Sequence, residues 1–195
     1  DDAMEQVHEL IAREWGGLDV LVNNAGIATG GPMVETTLAE WRSVLDVNLM
    51  GVVHGCRRFL PGMLAAGRGQ VINTASFAGL AGAPSIMSYG VSKAAVVALS
   101  EQLRAETHGT GVTVSVLCPA FFRTNLVESW QGNARMKGCA DKMMASSPDT
   151  LESGSDAVFA AVERGQFLVI PTAKEPMRWR MKRWFPEFYF RQLVK

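Results

Sequence analysis

VINTASFAGLAGAPSIMSYGVSKAAVVAL, residues 71–99, carries three local signals in succession. Val71-Ile72 opens a short apolar run through Asn73-Thr74-Ala75 to Ser76, which reads as a buried strand delivering a hydroxyl at its carboxyl end. Alanine and glycine then alternate as far as Gly82, predicting a loop whose backbone can approach another molecule closely. After Pro84 and Ser85 a helix is predicted that holds Tyr89 and Lys93. Residues four apart lie on one helix face, with Cβ atoms about 5–6 Å apart. A phenol beside an ammonium, with a serine hydroxyl brought in from a strand end, is a proton-transfer arrangement. Tyrosine ordinarily titrates near ~10, and a neighbouring cation favours the phenolate. Lys93 is therefore expected to lower the Tyr89 pKa, fitting Tyr89 for general acid–base work near neutrality.

Outward from that stretch, three upstream features add weight. Ser76 stands thirteen residues before Tyr89, Asn23-Asn24-Ala25-Gly26 follows an apolar run, and Asn48 sits inside an apolar helical pattern. With these four motifs in this order and spacing, the chain resembles the short-chain dehydrogenase/reductase family from residue 1 to about 171. The resemblance implies an α/β fold, the C-terminal half of a doubly wound, parallel-sheet Rossmann-type architecture, over residues 1–173. It implies Asn48, Ser76, Tyr89 and Lys93 as the catalytic set. Tyr89 would be the acid/base, Lys93 a pKa-lowering group that also binds the nicotinamide ribose, Ser76 the holder of the substrate oxygen, and Asn48 the seat of a relay water. It implies cofactor contacts, with NAD or NADP, at Asn23, Ala25, Gly26, Tyr89, Lys93, Pro119, Phe122 and Thr124.

Composition bounds the alternatives. The 195 residues include 48% hydrophobic and 19% charged side chains, as in an ordinary soluble globular protein, and the net charge is zero. No global field favours nucleic acid. Cys56, Cys118 and Cys139 form no CxxC pair and suit a reducing, cytoplasmic setting. His8, His54 and His108 are scattered, so no metal site is expected. No apolar run reaches the ~20 residues that span a bilayer. The first residue is Asp rather than Met, so a fragment or processed chain is expected.

Along the chain, residues 1–15 predict a helix with Met4, Val7, Ile11 and Trp15 at helical spacing, stopped by Gly16-Gly17. LDVLV, residues 18–22, reads as a strand buried on both faces and ending at the Asn-Asn-Ala-Gly crevice. Thr37-x-x-Glu40 is a capping box for a long helix through Trp41, Leu49 and Phe59, with a break at Pro61-Gly62. Asparagine is a poor helix former, so Asn48 needs buried partners. The helix of Lys93 continues to about His108, its small residues suiting close packing on another helix, in the core or in a second subunit. VTVSVL, residues 112–117, is another buried strand, followed by Pro119 and Thr124, with Ala120 where the family has glycine. Trp130, Met136, Met143 and Met144 fall in what the resemblance makes a substrate lid over 125–150. A helix over 155–164 and a strand over 167–170 follow.

Dinucleotide binding calls for a glycine-rich turn between a strand and a helix, where the pyrophosphate meets backbone N–H groups. No such turn occurs here. The resemblance implies three further strands upstream of residue 1, in the order 3-2-1-4-5-6-7, so LDVLV is expected as an apolar sheet edge. The expected function is NAD(P)-dependent interconversion of an apolar alcohol and a ketone or aldehyde, in a homo-oligomer. The alternative is a non-catalytic binding or assembly protein lacking the cofactor half. The tail, 174–195, interleaves Arg178, Arg180, Lys182, Arg183, Arg191 and Lys195 with six aromatics from Trp179 to Phe190. Such a segment packs on its own protein or seats peripherally on a membrane, and Pro186 predicts two short segments.

Overall fold

The computed structural model of the protein describes residues 2–124, 126, 128 and 130–195. Residue 1 of the first predicted helix and residues 125, 127 and 129 of the predicted lid lie outside these. Four parallel strands form the central sheet in the order β1 (Val20–Asn23), β3 (Gly69–Thr74), β4 (Val112–Leu117), β6 (Leu168–Val169). A two-stranded parallel pair joins β2 (Thr29–Gly30) to β5 (Gln131–Gly132). Val71 pairs with Leu21 on one side and Val114 on the other, so β3 is central and its carboxyl end is flanked by the ends of both neighbours.

Helix α1 (Asp2–Trp15) lies on α3 (Gly51–Ala66), with Met4 and Ile11 against the core and the His8 ring 5.5 Å from that of Phe59. Val7 and Trp15, predicted on the inner stripe, are exposed. The capping box forms as read: Glu40 N–H donates to Thr37 Oγ1 and Thr37 N–H donates to Glu40 Oε2 at 2.7 Å, opening α2 (Leu38–Leu45). A π-helical turn, Asp46–Met50, links α2 to α3 and contains Asn48. Such turns cluster at functional sites.

The expected break at Pro61-Gly62 does not occur. Pro61 lies inside α3, which runs on to Ala66 and ends at Gly67 with φ of 64°. Phe59 and Met63, on either side of the proline, are both buried in the core, and that packing holds the helix through the missing N–H. The core itself is the layer between the sheet and α3 and α5 (Met87–Glu106), with Val71, Val96, Val116 and Cys118 fully enclosed.

β1 corrects another expectation. It is the sheet edge, as expected, but it is not buried on both faces: Leu21 is 7% exposed, whereas Val20 and Val22 are 46% and 54% exposed. Among the described residues α3 covers the Leu21 face, and nothing of comparable size covers the other.

The rest follows the sequence closely. α7 (Leu151–Glu163) starts earlier than read because Thr150 and Ser153 form a second capping box. α6 (Ala134–Ala145) occupies the predicted lid, starting from the Asn133 cap. The tail forms two helices, α8 (Glu175–Trp184) and α9 (Pro186–Leu193), with Pro186 in the first turn of the second. No helix among the described residues is long and apolar enough to cross a membrane.

Candidate active site

Three elements converge at the carboxyl end of β3. The strand delivers Ser76 just beyond its last residue. A short helix, α4 (Ala78–Ala81), turns the chain back, and the first two turns of α5 carry Tyr89 and Lys93. The Ser76 hydroxyl donates to the Pro119 carbonyl oxygen at 3.4 Å and accepts the Ala78 N–H at 3.1 Å, with the Tyr89 side chain close enough to feel it electrostatically. Lys93 is 3% exposed, its Nζ donating to the Thr74 carbonyl oxygen at 2.9 Å and standing 6.0 Å from the Tyr89 ring centroid. Helical spacing thus places the two residues as anticipated.

All three open into one cavity of about 450 Å³. Ala25, Gly26, Pro119, Phe122 and Thr124 line it too, so five of the sequence-predicted cofactor contacts surround the Ser76, Tyr89 and Lys93 cluster. Asn24, Thr74, Leu126 and Met144 complete most of the wall; of these the sequence points to Asn24 within the Asn-Asn-Ala-Gly motif and to Met144 as a lid residue. The other predicted lid side chains do not reach it. Trp130 packs over Gly30, where an added Cβ would stand 2.5 Å from its ring, and Met143 is exposed.

Asn23 lies apart from this wall. Its Nδ2 donates to Asn73 Oδ1 at 2.8 Å, and Asn73 Nδ2 donates to Ser100 Oγ at 3.0 Å. This chain of amides ties β1 to β3 and to α5, so the Asn23 side chain fastens the sheet. Asn48 is fully buried and also absent from the cavity wall. Its Oδ1 accepts the Ile27 N–H at 2.8 Å, and its Nδ2 donates to the Ile27 carbonyl oxygen at 3.0 Å and to Ser92 Oγ at 3.1 Å. Both amide donors are therefore engaged, and the side chain clamps the loop after β1.

The electrostatics correct the sequence reading. The Tyr89 pKa is raised, by burial first of all, with the Ser76 hydroxyl opposing that and Cys118 adding to it. Lys93 is not what shifts it. Burial brings Lys93 itself down to about 8, with Cys118 countering. Cys118, fully enclosed, is pushed up to about 12 by burial.

Glycine serves the site at two places. Gly79 lies where an added Cβ would stand 2.6 Å from the Lys93 carbonyl carbon and 2.7 Å from the Ala94 nitrogen. The close approach read from the alanine-glycine run is therefore made to the protein's own α5. Gly26 is the second: a Cβ there would meet both Asn48 Oδ1 and Lys93 Nζ at 3.2 Å. Among the described residues there is no group of three or more His, Cys, Asp or Glu able to hold a metal ion.

A parallel, helix-flanked sheet with a Ser–Tyr–Lys cluster in a cavity at its strands' carboxyl ends defines the class: a doubly wound α/β protein with its site in the usual crevice. The family model for short chain dehydrogenase matches residues 1–135, and the chain belongs to that family. Probable oxidoreductase EphD of Mycobacterium tuberculosis is 35% identical over 173 residues, 84% of this chain and 29% of that protein. Meso-2,3-butanediol dehydrogenase of Serratia marcescens is 31% identical over 166 residues, 85% of this chain and 66% of its own length. A short chain dehydrogenase/reductase from Burkholderia phymatum, solved in complex with NAD, superposes with a TM-score of 0.87 at 28% identity, over 95% of this chain and 72% of that one. The chain thus spans less than a third of the mycobacterial relative and about two thirds of the other two.

Proposed function

We propose that this chain carries the chemistry-bearing part of an NAD(P)-dependent oxidoreductase that interconverts an alcohol and a ketone or aldehyde. The observation that carries this is the convergence of Ser76, Tyr89 and Lys93 on one cavity. The cavity suits the nicotinamide–ribose end of such a cofactor. Small residues at 25 and 26 leave room along the wall. NAD(P), when bound, supplies or accepts the hydride.

The chain's own residues handle the rest. Tyr89 gives or takes the proton at its phenolic oxygen; its raised pKa keeps it protonated at neutral pH and so suits it to donate to a ketone oxygen. Ser76 hydrogen-bonds the same oxygen and steadies the charge that develops on it. Lys93, held by the Thr74 carbonyl, sits where it can meet ribose hydroxyls beside Gly26. Asn48 acts as a positioning residue through Ile27 and Ser92. Phe122, Leu126 and Met144 in the wall favour an apolar substrate.

Tyr89→Phe tests this reading in the full-length protein. The variant is expected to lose turnover while NAD(P) still raises its melting temperature. Retention of more than a few per cent of activity removes Tyr89 from the role. A protein with no activity and no NAD(P)-dependent stabilisation, where a ligand at 100 times its Kd adds about 2.7 kcal/mol, would support the non-catalytic alternative instead.

A further inference from the structure

The α8–α9 hairpin carries a surface that the site chemistry does not use. Residues 174–195 hold seven basic side chains against Glu175 and Glu187, a net charge of +5, so the rest of this neutral chain carries −5. The hairpin is fastened to the domain from inside: Lys182 Nζ donates to the Leu80 carbonyl oxygen on α4, and Tyr189 is buried. With those two groups turned inward, much of the remaining apolar surface points out. Met177, Trp184, Phe185 and Phe188 are 74%, 78%, 65% and 55% exposed. Met177 and Trp184 are seven apart on α8 and share a face, while Phe185 and Phe188 continue from Trp184 around the corner at Pro186. Arg180, Arg183 and Arg191 are exposed beside them, and the Arg183 guanidinium lies 5.1 Å from the Trp179 ring centroid.

We propose that this corner is a docking surface for an anionic phospholipid bilayer, with Trp184, Phe185 and Phe188 seated at headgroup depth and the arginines among the lipid phosphates. Large amphipathic rings flanked by arginine favour that interface, and each basic side chain near an anionic surface strengthens the attraction. Charge disfavours an isologous contact between two such corners, which would set one +5 segment against another. Shape selects a bilayer over single-stranded nucleic acid, which calls for a groove that tracks the backbone beneath stacking rings. Here the rings of Trp184, Phe185 and Phe188 stand exposed where α8 passes into α9. The hairpin is bolted to α4, which begins two residues after Ser76, so docking holds the cavity close to the bilayer.

Co-sedimentation of the 195-residue chain with vesicles decides the matter. Binding is expected to vesicles of phosphatidylcholine containing 30% phosphatidylglycerol, to fall as salt is raised, and to be absent with phosphatidylcholine alone. Arg180→Glu/Arg183→Glu is expected to lower the partition coefficient by about tenfold or more. Trp184→Ser/Phe188→Ser is expected to abolish binding with an unchanged melting temperature, and a blue shift of tryptophan fluorescence on binding is expected to disappear in Trp184→Phe. No vesicle binding at low salt overturns the proposal. So does equal binding by the wild type and both double variants, or a concentration-dependent dimer that the same variants dissociate without any vesicle binding.

Discussion

Asn48 and Ile27 are joined twice: the Ile27 N–H donates to Asn48 Oδ1 at 2.8 Å, and Asn48 Nδ2 donates back to the Ile27 carbonyl oxygen at 3.0 Å. The π-helical turn places the amide deep enough to reach the loop that follows β1. That loop holds Ala25 and Gly26 against the cavity. Asn48→Asp keeps the shape but sets a carboxylate oxygen against the Ile27 carbonyl oxygen, and Ser92 can donate to the carboxylate only by releasing the Tyr89 carbonyl oxygen. Each buried group so orphaned costs about 1–3 kcal/mol, and the variant is expected to lose about 2–4 kcal/mol in urea unfolding. A loss below about 1 kcal/mol would show that the clamp is dispensable.

Gly79 is where α4 meets α5. An added Cβ would press on the Lys93 carbonyl carbon and the Ala94 nitrogen, both backbone atoms that cannot swing aside. Ordinarily glycine to alanine stabilises a helix, so the sign of the effect is diagnostic. Gly79→Ala is expected to destabilise by about 2 kcal/mol or more, as overpacking does, and to displace Ser76 relative to Tyr89. A melting temperature equal to or above the wild type's would show that the two helices can separate at little cost.

Burial of Lys93 predicts a pH effect on stability. Its folded pKa is about 8 against an ordinary 10.5. Between those values the unfolded chain holds a proton that the folded one has released, so stability rises with pH across that window. The penalty for the buried charge is fully present below about pH 8, and amounts to about 3 kcal/mol at most. Cys56 and Cys118 work the other way above pH 9, because burial raises them to about 11 and about 12. The melting temperature is expected to rise from pH 7.5 to 9 and to turn downward beyond. Lys93→Met removes the rise and keeps the fall. Superimposable pH profiles for the two proteins would remove Lys93 as the cause.

Much of this architecture is legible in local sequence because the signals concerned are local. The capping box at Thr37 and Glu40, the four-residue spacing of Tyr89 and Lys93, and the break at Pro186 each involve neighbours along the chain, and each forms. What could not be read depends on distant partners. Asn23 and Asn73, fifty residues apart, pair only because β1 and β3 lie side by side. Pro61 reads as a breaker until the burial of Phe59 and Met63 is known. The four apolar positions of LDVLV look buried on both faces, yet the burial of each depends on what covers it, and Val20 and Val22 are exposed. The Tyr89 pKa was misread for the same reason: spacing places a lysine nearby, but depth below the surface sets the charge of both groups.

Thr74 separates its two oxygens between two tasks. Its carbonyl oxygen accepts Lys93 Nζ at 2.9 Å, whereas its hydroxyl is buried close behind the cavity-lining backbone with no partner. Thr74→Val keeps the carbonyl, the β-branching and nearly the volume, and deletes only the hydroxyl. If that hydroxyl is there for a polar ligand, the substitution moves two measurements in opposite directions. The ligand-free protein is expected to become more stable by about 1 kcal/mol, since an unsatisfied buried group is removed. NAD(P) binding, followed by thermal shift or calorimetry, is expected to weaken by about tenfold for the loss of one hydrogen bond to a buried partner. Were stability to fall and cofactor affinity to stay unchanged, the hydroxyl would have to serve the protein's own packing, and Thr74 would leave the candidate site.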